Sequence, residues 1–288
     1  KEFYNYVSKQ NKGVFKEIKD LKSELKKLTD SAEESDEKAI ADLQQQILTQ
    51  EDKLFKPIIG CEMYVAPRGM EMKEGRPDQG GYHLVVLAKD KVGYHNLIKL
   101  VSKAWTDGFY MRPRTDREQL KKYREGLIVS SACLGGEIPR RIRENKLDEA
   151  RDAIRWFQSV FGDDFYIELQ RHKATVPRAN HETYLIQQKT NEQLIALARE
   201  FDVKIICTND VHFVSEEQAE AHDRLICLST GRDLDDPERM LYSKQEWLKT
   251  REEMCLIFQD IPEAIDNTME IFDKIEYYSI DHAPIMPT

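Results

Sequence analysis

Residues 82–105 read YHLVVLAKDKVGYHNLIKLVSKAW and contain the two patterns on which the fold prediction rests. The first seven residues form a near-continuous apolar run, which is typical of a strand covered on both faces. From residue 91 onward, apolar residues recur at the three-to-four spacing of an amphipathic helix. The stretch therefore predicts a strand over 82–88 followed by a helix over 91–105.

The same alternation continues from residue 56 to about residue 208. The predicted strands are 57–65 (PIIGCEMYV), 82–88, 126–132 (GLIVSSA), 164–170 (DFYIELQ) and 203–208 (VKIICT). The predicted helices are 91–105, 116–124, 137–160 and 180–201. This order favours a mostly parallel sheet covered by helices, either an α/β barrel or an open doubly wound sheet. No GxGxxG or GxxxxGK[ST] motif is present, which argues against the nucleotide-binding versions of these folds.

The two ends of the chain differ from this central part. Residues 12–55 contain two heptad-like apolar stripes joined by a polar segment, which predicts an antiparallel helical hairpin, with Ser31 and Glu34 as a capping box for its second arm. We expect the hairpin to project from the body as a solvated spacer, and the alternative is a dedicated site for a partner. Beyond residue 215 we predict helices over 222–228, 244–250 and 251–274, the last broken at Pro262. The tail from residue 277 is predicted to be a linker.

Composition indicates the cellular compartment of the protein and the partners that it can bind directly. Five scattered cysteines do not suggest a disulfide framework and favour a reducing, cytoplasmic compartment. No apolar run has membrane-spanning length and no secretory signal precedes the first helix, so no membrane partner is expected. The formal net charge of −9 has the wrong sign for a surface that grips DNA phosphates. If the protein works on DNA, other parts of a longer chain hold the duplex.

The pair Asp210 and His212 and the single carboxylate Glu62 are candidates for metal ligation. Asp210 and His212 follow the strand 203–208, where the side chains of an α/β barrel converge on its site. The pattern Asp-x-His is also common in surface loops, and both interpretations stay open. Glu62 lies within an apolar strand, where a carboxylate would be costly without a partner.

Cys133 and His83 each allow two interpretations. Cys133 opens the Gly-rich turn after strand 126–132 and is either a thiolate ligand or a core residue. His83 stands at the beginning of its strand, which is the wrong end for a ligand on the C-terminal face. Spacing alone favours a hydrogen-bonded histidine at the end of a strand.

Four further residues are weaker candidates. Glu168 and His172 flank the end of strand 164–170, where they either support the ligands from behind or face a substrate. Arg112 and Arg114 lie near Tyr110 and either hold a phosphate or form surface salt bridges. No Gly-x-Ser-x-Gly elbow or HExxH helix is present.

Several blocks of sequence resemble one family closely. The blocks are KPIIGCEMYV (56–65), HLVVLA (83–88), YMRPR (110–114), SACLGGE (131–137), TNDVH (208–212), and the stretch from EEM (252–254) to IPEAIDNT (261–268). They resemble the PHP (polymerase and histidinol phosphatase) domain of bacterial DNA polymerase III alpha subunits in order and spacing. The resemblance covers residues 1–12 and 55–288, and the hairpin between them looks like a lineage-specific insertion.

The resemblance implies a distorted (β/α)7 barrel with a metal cluster at one end. In the family, nine side chains bind three divalent ions, often zinc or manganese, and five positions are matched here by Glu62, His83, Cys133, Asp210 and His212. Cys133 stands where histidine is frequent, which suits zinc better than manganese. The family's opening His-x-His strand and a later Asp-His pair are not in this sequence.

We therefore expect an N-terminally truncated domain in which the barrel lacks its first strands. The expected organisation is a PHP barrel over 1–214, with the hairpin inserted at 13–55. A helical extension over 215–288 would lead towards the polymerase palm, which is absent here.

The resemblance also implies a function. We expect a fragment of a DNA-directed DNA polymerase that acts in replication, in which this domain is a metal-dependent phosphoesterase with 3′-5′ exonuclease activity in the parent. The fragment itself is expected to be inactive. The alternative is a non-catalytic scaffold that docks a proofreading subunit. The segment 252–268 argues against a stand-alone phosphatase. Expected partners are the rest of the alpha subunit, proofreading and other holoenzyme subunits, and primer-template DNA bound through the parent.

Overall fold

The structure is a computed structural model that describes residues 2–30, 36–174, 176–283 and 286. The chain divides into two compact units, Lys1–Ile58 and Ile59–Thr288. Within the described ranges, no helix is both long enough and apolar enough to cross a membrane.

The first unit consists of two helices, α1 (Glu2–Asp30) and α2 (Glu37–Glu51). They run antiparallel, because the Asn11 amide exchanges hydrogen bonds of 2.8 and 3.0 Å with the backbone of Phe55 and Lys22 pairs with Glu51 at 2.7 Å. The helix α1 begins at Glu2, earlier than predicted. The predicted turn and its Ser31–Glu34 capping box lie outside the described residues.

The second unit is built on a six-stranded sheet. Its strands are β1 (Ile59–Val65), β2 (Tyr82–Ala88), β3 (Arg114–Thr115), β4 (Leu127–Ser130), β5 (Phe165–Leu169) and β6 (Ile205–Cys207). The strand order is β3-β1-β2-β4-β5-β6. The five predicted strands are confirmed: β2 has the predicted bounds and the other four are slightly shorter than predicted. The two-residue strand β3 was not predicted.

The directions of the strands differ from the expected mostly parallel sheet. Three neighbouring pairs are parallel, but β2 is antiparallel to both β1 and β4. Consequently the beginning of β2 lies beside the ends of β1 and β4. No strand pairing joins β3 to β6 in the part of the chain that the structure describes, so barrel closure remains a prediction.

Helices cover both faces of this sheet. They are α3 (Lys91–Thr106), α4 (Arg117–Lys122), α5 (Glu137–Arg143), α6 (Leu147–Phe161), α7 (Pro177–Ala179), α8 (Leu185–Glu200), α9 (Ala219–Thr230), α10 (Arg251–Ile257) and α11 (Glu263–Lys274). Ile128, Tyr166 and Ile206 pack with Ile271 of α11 on one face, and the intervening strand residues pack into the larger cluster on the other. Burial on both faces explains why these strands are apolar at successive positions.

Two helix predictions required correction. The predicted helix 137–160 is two helices, separated at Asn145, whose φ of +58° does not fit a right-handed helix. The helix predicted at 244–250 is wrong, because this segment is not helical and Trp247 forms an isolated β-bridge with Phe213. The predicted break at Pro262 is confirmed by the separation of α10 from α11.

Candidate metal centre

Glu62, His83 and Cys133 come together at one end of the sheet. One ligand atom from each lies within 4.8 Å of the other two. Nδ1 of His83 is 2.6 Å from Oε1 of Glu62 and 3.4 Å from Sγ of Cys133. The strand register explains the meeting, since Tyr64 is paired with His83 and Cys133 follows the end of β4 closely. Because β2 is antiparallel, the beginning of this strand is at the same end as the exits of β1 and β4.

Glu62 is not buried, although its apolar strand predicted a buried carboxylate. Its side chain is 45% exposed, because burial alternates along β1 and this position faces outward. The hydrogen bond from His83 lowers the pKa of Glu62 against the opposing effect of partial burial. The carboxylate is therefore an accessible anion with one fixed partner.

The loop around Cys133 packs tightly against His83. The Cys133 thiol and then Glu62 raise the pKa of His83 to about 10 through hydrogen bonds. The backbone N–H of Gly135 donates to the Cys133 sulfur at 3.4 Å. The carbonyl of Gly135 accepts a hydrogen bond of 3.0 Å from the backbone N–H of His83. A Cβ at Gly135 would lie 3.1 Å from the His83 ring, so a side chain at this position would press on the ring unless the ring shifted by a few tenths of an ångström.

Asp210 and His212 lie in the loop that leaves β6. Asp210 adopts a φ of +44°, a left-handed conformation that aspartate tolerates better than most residues. Nδ1 of His212 lies 2.6 Å from the Asp210 carbonyl oxygen, and its Nε2 faces the Tyr242 hydroxyl at 3.3 Å. Burial raises the pKa of Asp210, His212 opposes this rise and Glu62 adds to it. Asp210 thus lies within the electrostatic reach of Glu62.

His172 supports this loop from behind. Its ring is buried, and burial lowers its pKa, which favours the neutral form. The Gln187 amide lies 3.0 Å from Nδ1 and donates to it, while Nε2 lies 3.1 Å from the Asn209 carbonyl and donates in turn. The Asn209 amide donates to the carbonyls of Gln245 and Trp247, each at 2.7 Å. With both ring nitrogens occupied, His172 positions the loop before Asp210.

Glu168 is a buried link between three strands. Its carboxylate accepts from the hydroxyls of Ser130 and Thr208, each at 2.5 Å, and from the Gln170 amide at 2.9 Å. These donors lie on or directly after β4, β5 and β6. Glu168 therefore fixes the strand exits relative to one another, which agrees with a supporting position.

The two arginines have different environments. Arg112 is exposed, and its guanidinium lies 2.6 Å from the Tyr64 hydroxyl and 4.9 Å from the centre of the Tyr64 ring. Arg114 is fully buried, with its guanidinium bonded to the carbonyls of Gly108, Asp78, Met70 and Met72. These bonds assign Arg114 a structural role in place of the phosphate contact considered for it.

A cleft of about 190 Å³ lies between Cys133, which belongs to the group with Glu62 and His83, and Asp210, in the loop after β6. Cys133, Asp210, His172, Tyr242 and Glu246 contribute to its lining. Tyr242 and Glu246 were not predicted to belong to the site, and Glu246 falls within the segment 244–250 that was wrongly predicted to be a helix. Their contacts with the loop after β6 are tertiary, so the sequence carried no local signal for them.

Comparison with known proteins identifies the family. The PHP domain family model matches residues 12–172, which is more than half of the chain. The chain belongs to the PHP domain family. It is also similar to proteins named DNA polymerase III subunit alpha. The Borreliella burgdorferi relative is 43% identical over 237 residues, which cover 81% of this chain and 20% of that protein. The Thermus aquaticus relative is 42% identical over 222 residues, covering 75% and 17%.

A third relative, from Treponema pallidum, is 36% identical over 236 residues and has the same name. These residues cover 81% of this chain and 19% of the relative. The PHP domain chain thus spans about a fifth of the length of the curated relatives that it matches.

The side chains of this PHP domain fit a divalent metal ion. Carboxylate, imidazole and thiolate are the protein ligands of zinc, and three of them with an open position are typical of catalytic zinc sites. Glu62, His83 and Cys133 provide one of each within a sphere of suitable size. A sulfur ligand favours zinc over manganese.

Proposed function

We propose that this PHP domain binds divalent metal ions through Glu62, His83, Cys133, Asp210 and His212, as part of a DNA polymerase III alpha subunit. The observation that supports it most strongly is the approach of the Glu62, His83 and Cys133 ligand atoms to within 4.8 Å of one another. Asp210 lines the same cleft as Cys133. A second ion would take Asp210 and His212 as ligands.

The activity that this arrangement favours is hydrolysis of a phosphodiester, as a 3′-5′ exonuclease in the longer polymerase chain. A bound divalent ion supplies Lewis-acid activation of water and stabilisation of charge on a phosphoryl oxygen. Nδ1 of His212 donates to the Asp210 carbonyl oxygen, which orients the ring and leaves Nε2 as the atom that would bind an ion in place of its contact with the Tyr242 hydroxyl. His172 and Gln187 hold the backbone that carries Asp210. We assign polymerisation, primer-template binding and the cytoplasmic replication setting to the parent protein.

A second candidate function is a non-catalytic scaffold that docks a separate proofreading subunit. One observation favours it: His83 pairs with Glu62 at 2.6 Å and with Cys133 at 3.4 Å, so direct contacts link the three side chains. These contacts can stabilise the packing of β1, β2 and the loop after β4 against one another.

The test compares the longer polymerase, without any proofreading subunit, with its His83→Ala and His95→Ala variants. His95 is an exposed histidine on α3 and serves as the matched control. Metal content is measured by mass spectrometry, and nucleotide release is measured from 3′-labelled single-stranded DNA. We expect His83→Ala to lose metal and release, and His95→Ala to retain both. Polymerisation by both variants confirms that they are folded. Metal binding without any release in the unmodified protein would favour the scaffold.

A further inference from the structure

An exposed pair of aromatic rings lies at the end of α3. Trp105 and Phe109 stack with their ring centres 5.6 Å apart and their planes 17° from parallel. Trp105 is 59% exposed and Phe109 is 45% exposed. Aromatic side chains normally bury most of their area, so a stacked and exposed pair is a marked feature of this surface.

This aromatic pair is continuous with the candidate metal centre. Trp105 lines one groove together with Glu62, Tyr64 and Pro113. The Tyr64 ring meets the His83 ring edge-on at 5.0 Å, and the Arg112 guanidinium lies 4.9 Å from the centre of the same Tyr64 ring. Arg112 is therefore within about 10 Å of the His83 ring.

The chemistry of this surface fits an unpaired nucleic-acid strand. Exposed aromatic rings stack on bases, and this contact is available only where the bases are free of a duplex. The Arg112 guanidinium, which contacts Tyr64 of the same groove, is of the type that binds a backbone phosphate. The net charge of −9 argues against a broad phosphate-binding surface, so the recognition has to be local.

We propose that Trp105, Phe109 and Arg112 form a stacking site for the unpaired end of a DNA strand. The site rests on the proposed function, because its purpose is to present the last phosphodiester to Glu62 and His83. At about 3.4 Å or more per nucleotide, the separation of Arg112 from His83 corresponds to roughly one to three nucleotides. The bases on the 5′ side of the scissile bond stack on Trp105. Arg112 binds a phosphate that lies between these bases and the candidate metal centre.

The test measures binding of a 5′-fluorescein-labelled twelve-residue oligothymidylate by fluorescence anisotropy. Chelator is present, so binding is measured independently of metal and of hydrolysis. The variants are Trp105→Ala, Trp105→Phe, Arg112→Ala and, as a matched exposed apolar control, Leu256→Ala. Leu256 is 72% exposed on α10. A blunt duplex of the same length is the control ligand.

We expect Trp105→Ala to weaken single-strand binding by about 5- to 100-fold, since a base lost from an aromatic ring has that effect. Trp105→Phe retains a ring and should stay within about threefold. Arg112→Ala should also reduce the slope of log affinity against log salt by about 0.7. The Leu256→Ala variant and duplex binding should not change.

Three results would overturn the stacking site. They are no measurable oligothymidylate binding by the unmodified chain, equal affinities for Trp105→Ala and Leu256→Ala, or a Trp105→Ala effect as large on duplex as on single strand. Failure of the proposed nuclease would appear differently. The strand would bind through Trp105 in chelator, yet no nucleotide would be released after metal is added to the longer polymerase.

Discussion

Nδ1 of His83 lies 2.6 Å from the carboxylate of Glu62 because β1 and β2 run in opposite directions. The register places His83 opposite Tyr64, two residues beyond Glu62 and near the end of β1. His83, at the beginning of β2, thereby meets Glu62 in the middle of β1 and Cys133 just after the end of β4. The reversed strand supplies the centre with an imidazole that a fully parallel sheet would place at the opposite end.

Arg114 and Arg112 should differ sharply in their effect on stability. Arg114→Met leaves the four carbonyls bonded to the buried guanidinium without that partner. We expect it to lower the free energy of unfolding by about 2–5 kcal/mol. Arg112→Met changes an exposed side chain and should cost no more than about 0.5–1 kcal/mol. Urea unfolding of the two variants measures the difference, and similar losses would contradict the structural role of Arg114.

Glu270 should make the second unit sensitive to acid. Partial burial opposes ionisation of Glu270, but hydrogen bonds from Lys204, Tyr166 and Lys274 lower its pKa to about 2. The ordinary value of 4.5 applies in the unfolded chain. Its stabilising contribution is therefore complete above pH 4.5 and is lost as pH falls towards 2.

Thermal unfolding of Glu270→Gln tests this prediction across pH 7 to 3. The melting temperature of the variant should be lower than that of the unmodified chain at pH 7, and the difference between the two melting temperatures should narrow below pH 4.5. Glu192→Gln, at an exposed position on α8, is the control and should show little gap at any pH. A gap for Glu270→Gln that stays constant or widens in acid would show that the pairing does not lower the pKa of this carboxyl.

Much of this fold could be predicted because the strands are apolar on both faces, as Ile128 and Tyr166 illustrate. The direction of β2 could not be predicted, since periodicity is the same whichever way a strand runs. For the same reason, spacing alone predicted that His83 lies at the end of the sheet opposite to the other candidate ligands. The segment 244–250 has helix-forming residues, but pairing of Trp247 with Phe213 overrides that preference. The backbone of Glu246 also accepts from the His212 N–H at 2.8 Å, so this segment is held at the cleft by tertiary contacts.

The helical hairpin should be dispensable for the rest of the fold. Residues from 59 onward form the main core cluster of the second unit, and the hairpin has buried residues of its own, including Ile18 and Ile47. Replacing residues 14–53 with a short Gly/Ser bridge should leave the thermal midpoint of the remainder within a few degrees. Circular dichroism melting measures this. A collapse in soluble yield would show that the arms stabilise the second unit.

Glu62, His83 and Cys133 should together bind one divalent metal ion. Cobalt(II) tests it directly, because a thiolate ligand gives cobalt an intense near-ultraviolet charge-transfer band that oxygen and nitrogen ligands do not give. The measurement is a cobalt titration of the chain beside its Cys133→Ser and Cys61→Ser variants. Cys61 neighbours Glu62 in sequence but is outside the set of three, so it is the matched control. We predict that the band appears in the unmodified chain and in Cys61→Ser and is absent in Cys133→Ser. A band that survives in Cys133→Ser, or no band in the unmodified chain, would contradict the assignment.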